Sequence, residues 1–446
     1  MAAGYPSWIK LLREIAEELE VNSKDVHDLA ALAQWSLNAH KSDARIKDVI
    51  NREIGPNKDI PKEAEVIARL PIRHIWTTNF DSVIERAYDV IGRPLQAISA
   101  PNDLARKPLM GASRLYKMHG SITNLDDIVI STEDYELFNT KRGAFLPVLE
   151  SQLTTSSMLF VGISFADPNL RHILSLIRAR FQGSGRGHYA IVRPPQRDDF
   201  DTDAEHGARQ RQHDLWADDL QRYGLHVVEI DSFDEIAPLL QSLERKVAED
   251  RVWISGSWPV GAVGSDAIVG LSQRLGNELA DRDMSLVTGY GLVVGSASLA
   301  GFLDGLRNRA VWSIAERLIA RPFPQPEQTG IDHKKQWDDL RREMAHLAGA
   351  VVVIGGKKVD ADGNLVDADG VIKEVSIAID TGKLVIPVGS TGGAAKIVAN
   401  QLLSIDETDD QGMRVRPKNK DIEYLLEDAR TTDEIISKIF EIIKQQ

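Results

Sequence analysis

The chain has 446 residues, 43% hydrophobic and 27% charged, which suits a folded protein of two or three domains. Its net charge of -13 opposes a duplex nucleic-acid partner, and the absence of cysteine excludes disulfides, thiolate zinc sites and a cysteine nucleophile while fitting a reducing compartment. No apolar run approaches the ~18 residues of a membrane helix, and no basic-then-apolar leader opens the chain, so a cytoplasmic protein without a membrane partner is expected.

Near the start, Trp8, Leu12, Ile15 and Leu19 repeat at helical spacing after Pro6 and Ser7. Apolar runs of strand length then alternate with helical stretches. They are Arg73–Asp81, Arg114–Gly120, Ser157–Asp167, His188–Arg193 and Leu225–Asp231. Several are continuously apolar, as strands buried on both faces should be. Such alternation predicts a parallel sheet covered by helices. The charged segment Glu244–Arg251 is the expected boundary, which divides the chain into domains 1–250 and 251–446. The pattern then restarts. Val252–Trp258, Ser285–Gly291, Ala350–Gly356 and Lys383–Gly393 each read as a strand running into a glycine loop. A helix with Ile268, Leu271, Leu275 and Leu279 on one face follows the first. This second α/β domain is the smaller one. Asp360–Gly370 reads as a polar loop or a turn between short strands. An EF-hand loop begun at Asp360 would need Gly and Glu where Leu365 and Val371 stand, so no calcium or other metal site is expected.

Three motifs of the first domain fall at strand ends. They are Thr77–Asp81 (TTNFD), Lys117–Ser121 (KMHGS) and Phe160–Asn169 (FVGISFADPN). Ligands of open α/β sheets bind beyond the carboxyl ends of the strands, so the polar groups of all three can converge on one pocket. Singly, Asn79 reads as a turn residue, His119 as a structural histidine, and Ser164 or Asp167 as a helix cap.

Together, in this order, the motifs resemble the sirtuin-type NAD-binding fold over residues 4–240. The resemblance implies that Asn79 and His119 are the catalytic pair. It implies that Thr78, Asp81, Gly120, Gly162 and Ser164 contact the cofactor. The chemistry suits that pair. Nicotinamide leaves the ribose as a neutral base, and the oxocarbenium-like centre left behind needs positioning and a nucleophile. An amide can hold a ribose hydroxyl and a water, and an imidazole can take a proton near neutral pH. Deacylating sirtuins carry a four-cysteine zinc module that this chain lacks. Water is therefore the expected acceptor, with ADP-ribose and nicotinamide as products. Sirtuin-type domains also begin with a strand and a GAGxS loop shortly before a segment like Gly4–Trp8. Here Met1 falls inside that region, so the natural start is expected upstream, and the mass of the native N-terminus tests this.

In the second domain, the glycines at 256, 289–291, 355–356 and 392–393 permit close backbone approach to phosphate. Arg341, in the helical LRREM, and Lys357 and Lys358 supply positive charge. The set resembles the SLOG superfamily, with an RxxM helix at Arg341–Met344, a GG loop at Gly355–Gly356 and a downstream Glu374. The insert between the glycines and Glu374 departs from the compact motif of the nucleotide-releasing members, which favours binding over catalysis. A sirtuin-type domain followed by a SLOG domain resembles the effectors of Thoeris antiphage systems. That resemblance implies a Rossmann-like pair of domains and a homo-oligomeric NAD+ hydrolase, often a tetramer. It also implies activation by a cyclic ADP-ribose isomer from a TIR-domain partner. The implied signal site comprises Gly256, Thr288, Gly289, Arg341, Lys357, Lys358 and Glu374. Two alternatives stay open: a non-catalytic nucleotide sensor that acts by assembly, and a phosphoribohydrolase working through the second domain.

Overall fold

The computed structural model describes residues 3–21, 28–163, 170, 174–175, 178, 187–311, 314–324, 333–405 and 416–445. The chain divides into two compact units, Met1–Ser242 and Leu243–Gln446.

The first unit holds strands β1 (His74–Thr77), β2 (Leu95–Ile98), β3 (Ser113–Lys117), β4 (Leu159–Val161), β5 (His188–Val192) and β6 (Leu225–Glu229). They form two parallel three-stranded sheets, ordered β1-β3-β2 and β4-β5-β6. Both sheets feed one core, in which Met118 and Leu149 pack with Phe160, Ala190 and Leu225. The expected strands are present but shorter at their carboxyl ends. The run predicted to reach Asp81 stops at Thr77, because Asn79 and Asp81 turn the chain into the helix Val83–Val90. β1 and β4 lie at the edges of their sheets, so β1 is only half buried although it reads as an apolar run. The amino-terminal helical pattern breaks at Leu12 into Trp8–Leu11 and Arg13–Glu18. Leu11, Leu12 and Ile15 from these helices pack with Leu32, Val49 and Ile50, and Phe80 inserts into the same cluster.

In the second unit, β7 (Arg251–Ser257), β8 (Ser285–Thr288), β9 (Leu318–Ala320) and β10 (Ala350–Gly355) precede a hairpin of β11 (Lys357–Val359) and β12 (Leu365–Asp367). β13 (Leu384–Val388) completes a five-stranded parallel sheet ordered β9-β8-β7-β10-β13. Chain direction across the sheet reverses between β7 and β10, the place where doubly wound sheets open a crevice. One face is covered by residues of the helices Ser265–Asp281, Val294–Asn308 and Thr432–Lys444. The other is covered from His333–Leu347, Asp369–Asp380 and Gly393–Leu403. Every residue of β10 and β13 is buried, as the continuous apolar runs predict for strands covered on both sides. The Asp360–Gly370 stretch resolves into the turn and second strand of the hairpin, then the start of the helix Asp369–Asp380.

Candidate functional sites

In the first unit, Thr77 of β1 pairs with Lys117 of β3. Two residues beyond each partner stand Asn79 and His119, so both follow the same end of neighbouring parallel strands. Their loops are laced together: Met118 N donates to Thr77 O at 3.1 Å, and Ile122 N to Phe80 O at 2.9 Å. Asn79 is exposed, and its backbone N–H donates to Thr77 Oγ1 at 3.1 Å. His119 is buried, with Tyr135 and Phe138 edge-on at 5.5 and 6.3 Å between ring centroids. Gly120 has φ +93°, and a Cβ there would come within 2.4 Å of Asp127 O, so only glycine lets the loop turn this tightly. Thr78 is half buried in the turn. Asp81 Oδ1 accepts from Val83 N at 3.0 Å, a local capping bond that aims the following helix. Gly162, just past β4, has φ +68° and open space where a Cβ would stand. Ser164 and Asp167 lie outside the described residues.

Two buried cations that sequence reasoning passed over hold these loops. Lys117 Nζ donates to Phe80 O at 3.2 Å, to Asp81 O, and to Glu85 Oε1 at 2.7 Å. Arg142 donates to Met118 O at 2.8 Å, Lys117 O at 3.1 Å, Asp127 O at 3.0 Å and Asp127 Oδ2 at 2.6 Å, and also to Ser99 O. Arg142 lies in a polar stretch with no periodic signal, and only the fold carries it under the loop.

In the second unit, Arg341 and Glu374 meet although 33 positions apart: Arg341 Nε stands 3.8 Å from Glu374 Oε1, and both residues are buried. Ser255, near the end of β7, donates to Glu374 Oε2 at 2.6 Å. Arg341 Nη1 donates to Asp338 Oδ1 at 2.9 Å, and Lys373 Nζ to Asp338 Oδ2 at 2.6 Å. The guanidinium lies 5.2 Å from the Phe323 ring centre. Among the described residues, Arg341 Nε makes no hydrogen bond. Burial pushes the Glu374 carboxyl up from 4.5 to about 7, against the opposing pull of the Ser255 hydroxyl and the Arg341 charge. Gly256 and Gly289 lie beside this cluster. A Cβ on Gly256 would stand 2.0 Å from Ile354 O, and one on Gly289 2.6 Å from the Phe323 ring. Thr288 is fully buried, and its Oγ1 accepts from Tyr290 N at 3.1 Å. Lys357 pairs with Asp367 across the hairpin at 2.8 Å, and Lys358 pairs with Asp369. Ser255 escaped sequence reasoning because one serine inside an apolar strand gives no local sign of its partner 119 positions away. Among the described residues, no group of three or more His, Asp or Glu could hold a metal ion, and no helix is long and apolar enough to cross a membrane.

Residues 73–218 match a SIR2-like domain, and residues 235–446 match the Sir2- and TIR-associating SLOG family. Over 451 residues the chain is 32% identical to the NAD(+) hydrolase ThsA of Bacillus cereus (strain MSX-D12), covering 100% of this chain and 92% of that protein. It is 30% identical over 449 residues to the NAD(+) hydrolase ThsA of Acinetobacter baumannii (strain 532279), covering 99% and 93%. A more local likeness, 24% over 186 residues, joins 40% of the chain to 18% of the defense-associated sirtuin 2 of Bacillus subtilis. With identity of this order over nearly its full length, the chain belongs to the ThsA family, and it carries a SIR2-like domain followed by a SLOG domain.

Proposed function

We propose that this protein hydrolyses NAD+ to ADP-ribose and nicotinamide, that Asn79 and His119 carry the reaction, and that a cyclic ADP-ribose isomer bound to the second domain switches it on. The observation that carries the reading is the end-to-end similarity to proteins named NAD(+) hydrolase ThsA, together with the lacing of the Asn79 and His119 loops at neighbouring strand ends. Asn79 orders the ribose and the attacking water through its donor and acceptor ends. His119 takes the proton as the water adds to the anomeric carbon and nicotinamide departs. Thr78, Asp81, Gly120, Gly162 and Ser164 surround the dinucleotide in this scheme.

The buried position of His119 fits a resting enzyme whose loop must open before turnover. Arg341 and Glu374 receive the signal: a guanidinium whose Nε makes no hydrogen bond among the described residues, 3.8 Å from Glu374, meets a phosphate, and the carboxyl beside it meets a ribose hydroxyl. Gly256, Thr288 and Gly289 form the wall, and Lys357 and Lys358 turn from Asp367 and Asp369 toward the added negative charge. The signal comes from a TIR-domain protein, the enzyme works as a homo-oligomer, and the outcome is NAD+ depletion during antiphage defence.

Nicotinamide release by the purified native chain tests the scheme, with cyclic ADP-ribose isomers supplied separately. Turnover with at least one isomer, abolished by His119→Ala, is expected. No turnover with any isomer would favour a non-catalytic sensor.

A further inference from the structure

We infer that Lys117 is a positioning residue for this reaction, its buried ammonium fixing the Asn79 turn against the His119 loop; the inference rests on the catalytic roles proposed above. Lys117 ends β3 and is 1% exposed. An ammonium has three hydrogens to donate. Here three acceptors surround it, Phe80 O, Asp81 O and Glu85 Oε1, and all belong to the segment directly after Asn79. The main chain of the same residue serves the other loop. Its carbonyl accepts from Gly120 N at 3.0 Å and from Arg142 Nη2 at 3.1 Å. One residue thus ties the turn that carries Asn79, through its side chain, to the loop that carries His119, through its backbone.

Packing alone does not call for this charge. Lysine is among the residues least often fully buried, and desolvating an ammonium is costly unless partners compensate it. A methionine would fill a similar volume without that cost. What the ammonium does that a thioether cannot is gather two successive carbonyls and a carboxylate around one point, which sets the turn between Thr77 and Val83. The reaction is sensitive to that turn, since a misplacement of about 1 Å at a reacting group costs on the order of 100-fold in rate.

The test measures steady-state NAD+ hydrolysis by the signal-activated full native chain, with thermal unfolding recorded alongside. Lys117→Met is expected to lower kcat about 100-fold with KM for NAD+ changed less than about threefold. Lys117→Arg keeps the charge but spreads its donors over a plane, so it recovers part of that loss, to within about 10-fold of wild type. A kcat for Lys117→Met close to wild type overturns the inference. So does a loss that tracks the fall in unfolding temperature and is not recovered by Lys117→Arg. Should Lys117→Met fail to fold, Lys117→Arg decides alone: wild-type kcat overturns the inference, and a reduced kcat at unchanged KM supports it. Asn79→Ala and His119→Ala are run beside these variants. Full activity in both would overturn the catalytic assignment itself, an outcome distinct from a silent Lys117→Met beside an inactive His119→Ala.

Discussion

Glu374 is enclosed by protein, with Ser255 donating to one oxygen and Arg341 near the other. Its carboxyl sits at about 7 in the folded chain against an ordinary 4.5. Between those values the folded protein keeps a proton that the unfolded chain releases, so the contribution of this group to stability is intact below pH 4.5 and declines up to pH 7. Glu374→Gln removes the titration. Urea unfolding at several pH values should show the variant gaining on wild type as pH rises, by on the order of 3 kcal/mol across the window. A gap that stays constant with pH would contradict the assignment. Arg341→Ala tests the other half of the pair. Loss of a charge-assisted contact should raise the signal concentration for half-activation by about 10- to 100-fold, with activity at saturating signal preserved. Equal loss at saturation would give Arg341 a structural role. At this scale the sequence singled out Asn79 and His119 as candidates because each follows an apolar run, and Arg341 and Glu374 because they fall in a motif set that resembles the SLOG superfamily. It did not carry Ser255, Lys117 or Arg142 as partners, since their bonds join segments that only the fold brings together. Nor did it carry the pairing of Lys357 and Lys358 with Asp367 and Asp369, which depends on the register of the β11–β12 hairpin.

The elements were most legible where burial is two-sided. β7, β10 and β13 are read directly from unbroken apolar runs that end in glycine. β2 and β9 were not expected: their four and three residues lie in no extended apolar run of the kind that marked the equally short β1, β4 and β8. The helices Ser265–Asp281 and Val294–Asn308 show what small residues do at a crossing. A Cβ on Gly301 would stand 1.8 Å from Gln273 O, and one on Gly276 2.0 Å from Ser298 O. The two backbones touch, so neither glycine can be enlarged without separating the helices. Gly301→Ala should therefore destabilise the second unit by about 2–4 kcal/mol, although alanine is the better helix former. Denaturant titration of the isolated transition checks this, and a neutral or stabilising result would show that the crossing relaxes. A smaller loss belongs to the last helix, Thr432–Lys444. Thr431 Oγ1 accepts from Glu434 N, and Glu434 Oε2 accepts from Thr431 N at 2.8 Å, a reciprocal cap. Thr431→Ala should cost about 1 kcal/mol.

For the molecule as a whole, the proposed scheme places chemistry in one unit and sensing in the other. A ligand shifts an equilibrium between resting and active states only by its difference in affinity for the two. Where the active state also binds NAD+ more tightly, signal and NAD+ help one another bind by equal factors. Domain order and fold class were readable from the sequence, because strand–helix alternation restarts once, near residue 250, and the strands after the restart run into glycine loops. The burial of His119 was not, since it depends on Tyr135 and Phe138 packing edge-on against the ring. The most direct test is nicotinamide release by the native chain, compared among wild type, His119→Ala and Glu374→Ala, with and without the cyclic ADP-ribose isomers. The account predicts signal-dependent release in wild type, none in His119→Ala at any signal concentration, and a shifted signal requirement in Glu374→Ala. Release that persists in His119→Ala and vanishes in Glu374→Ala would contradict it, and would move the chemistry to the second unit.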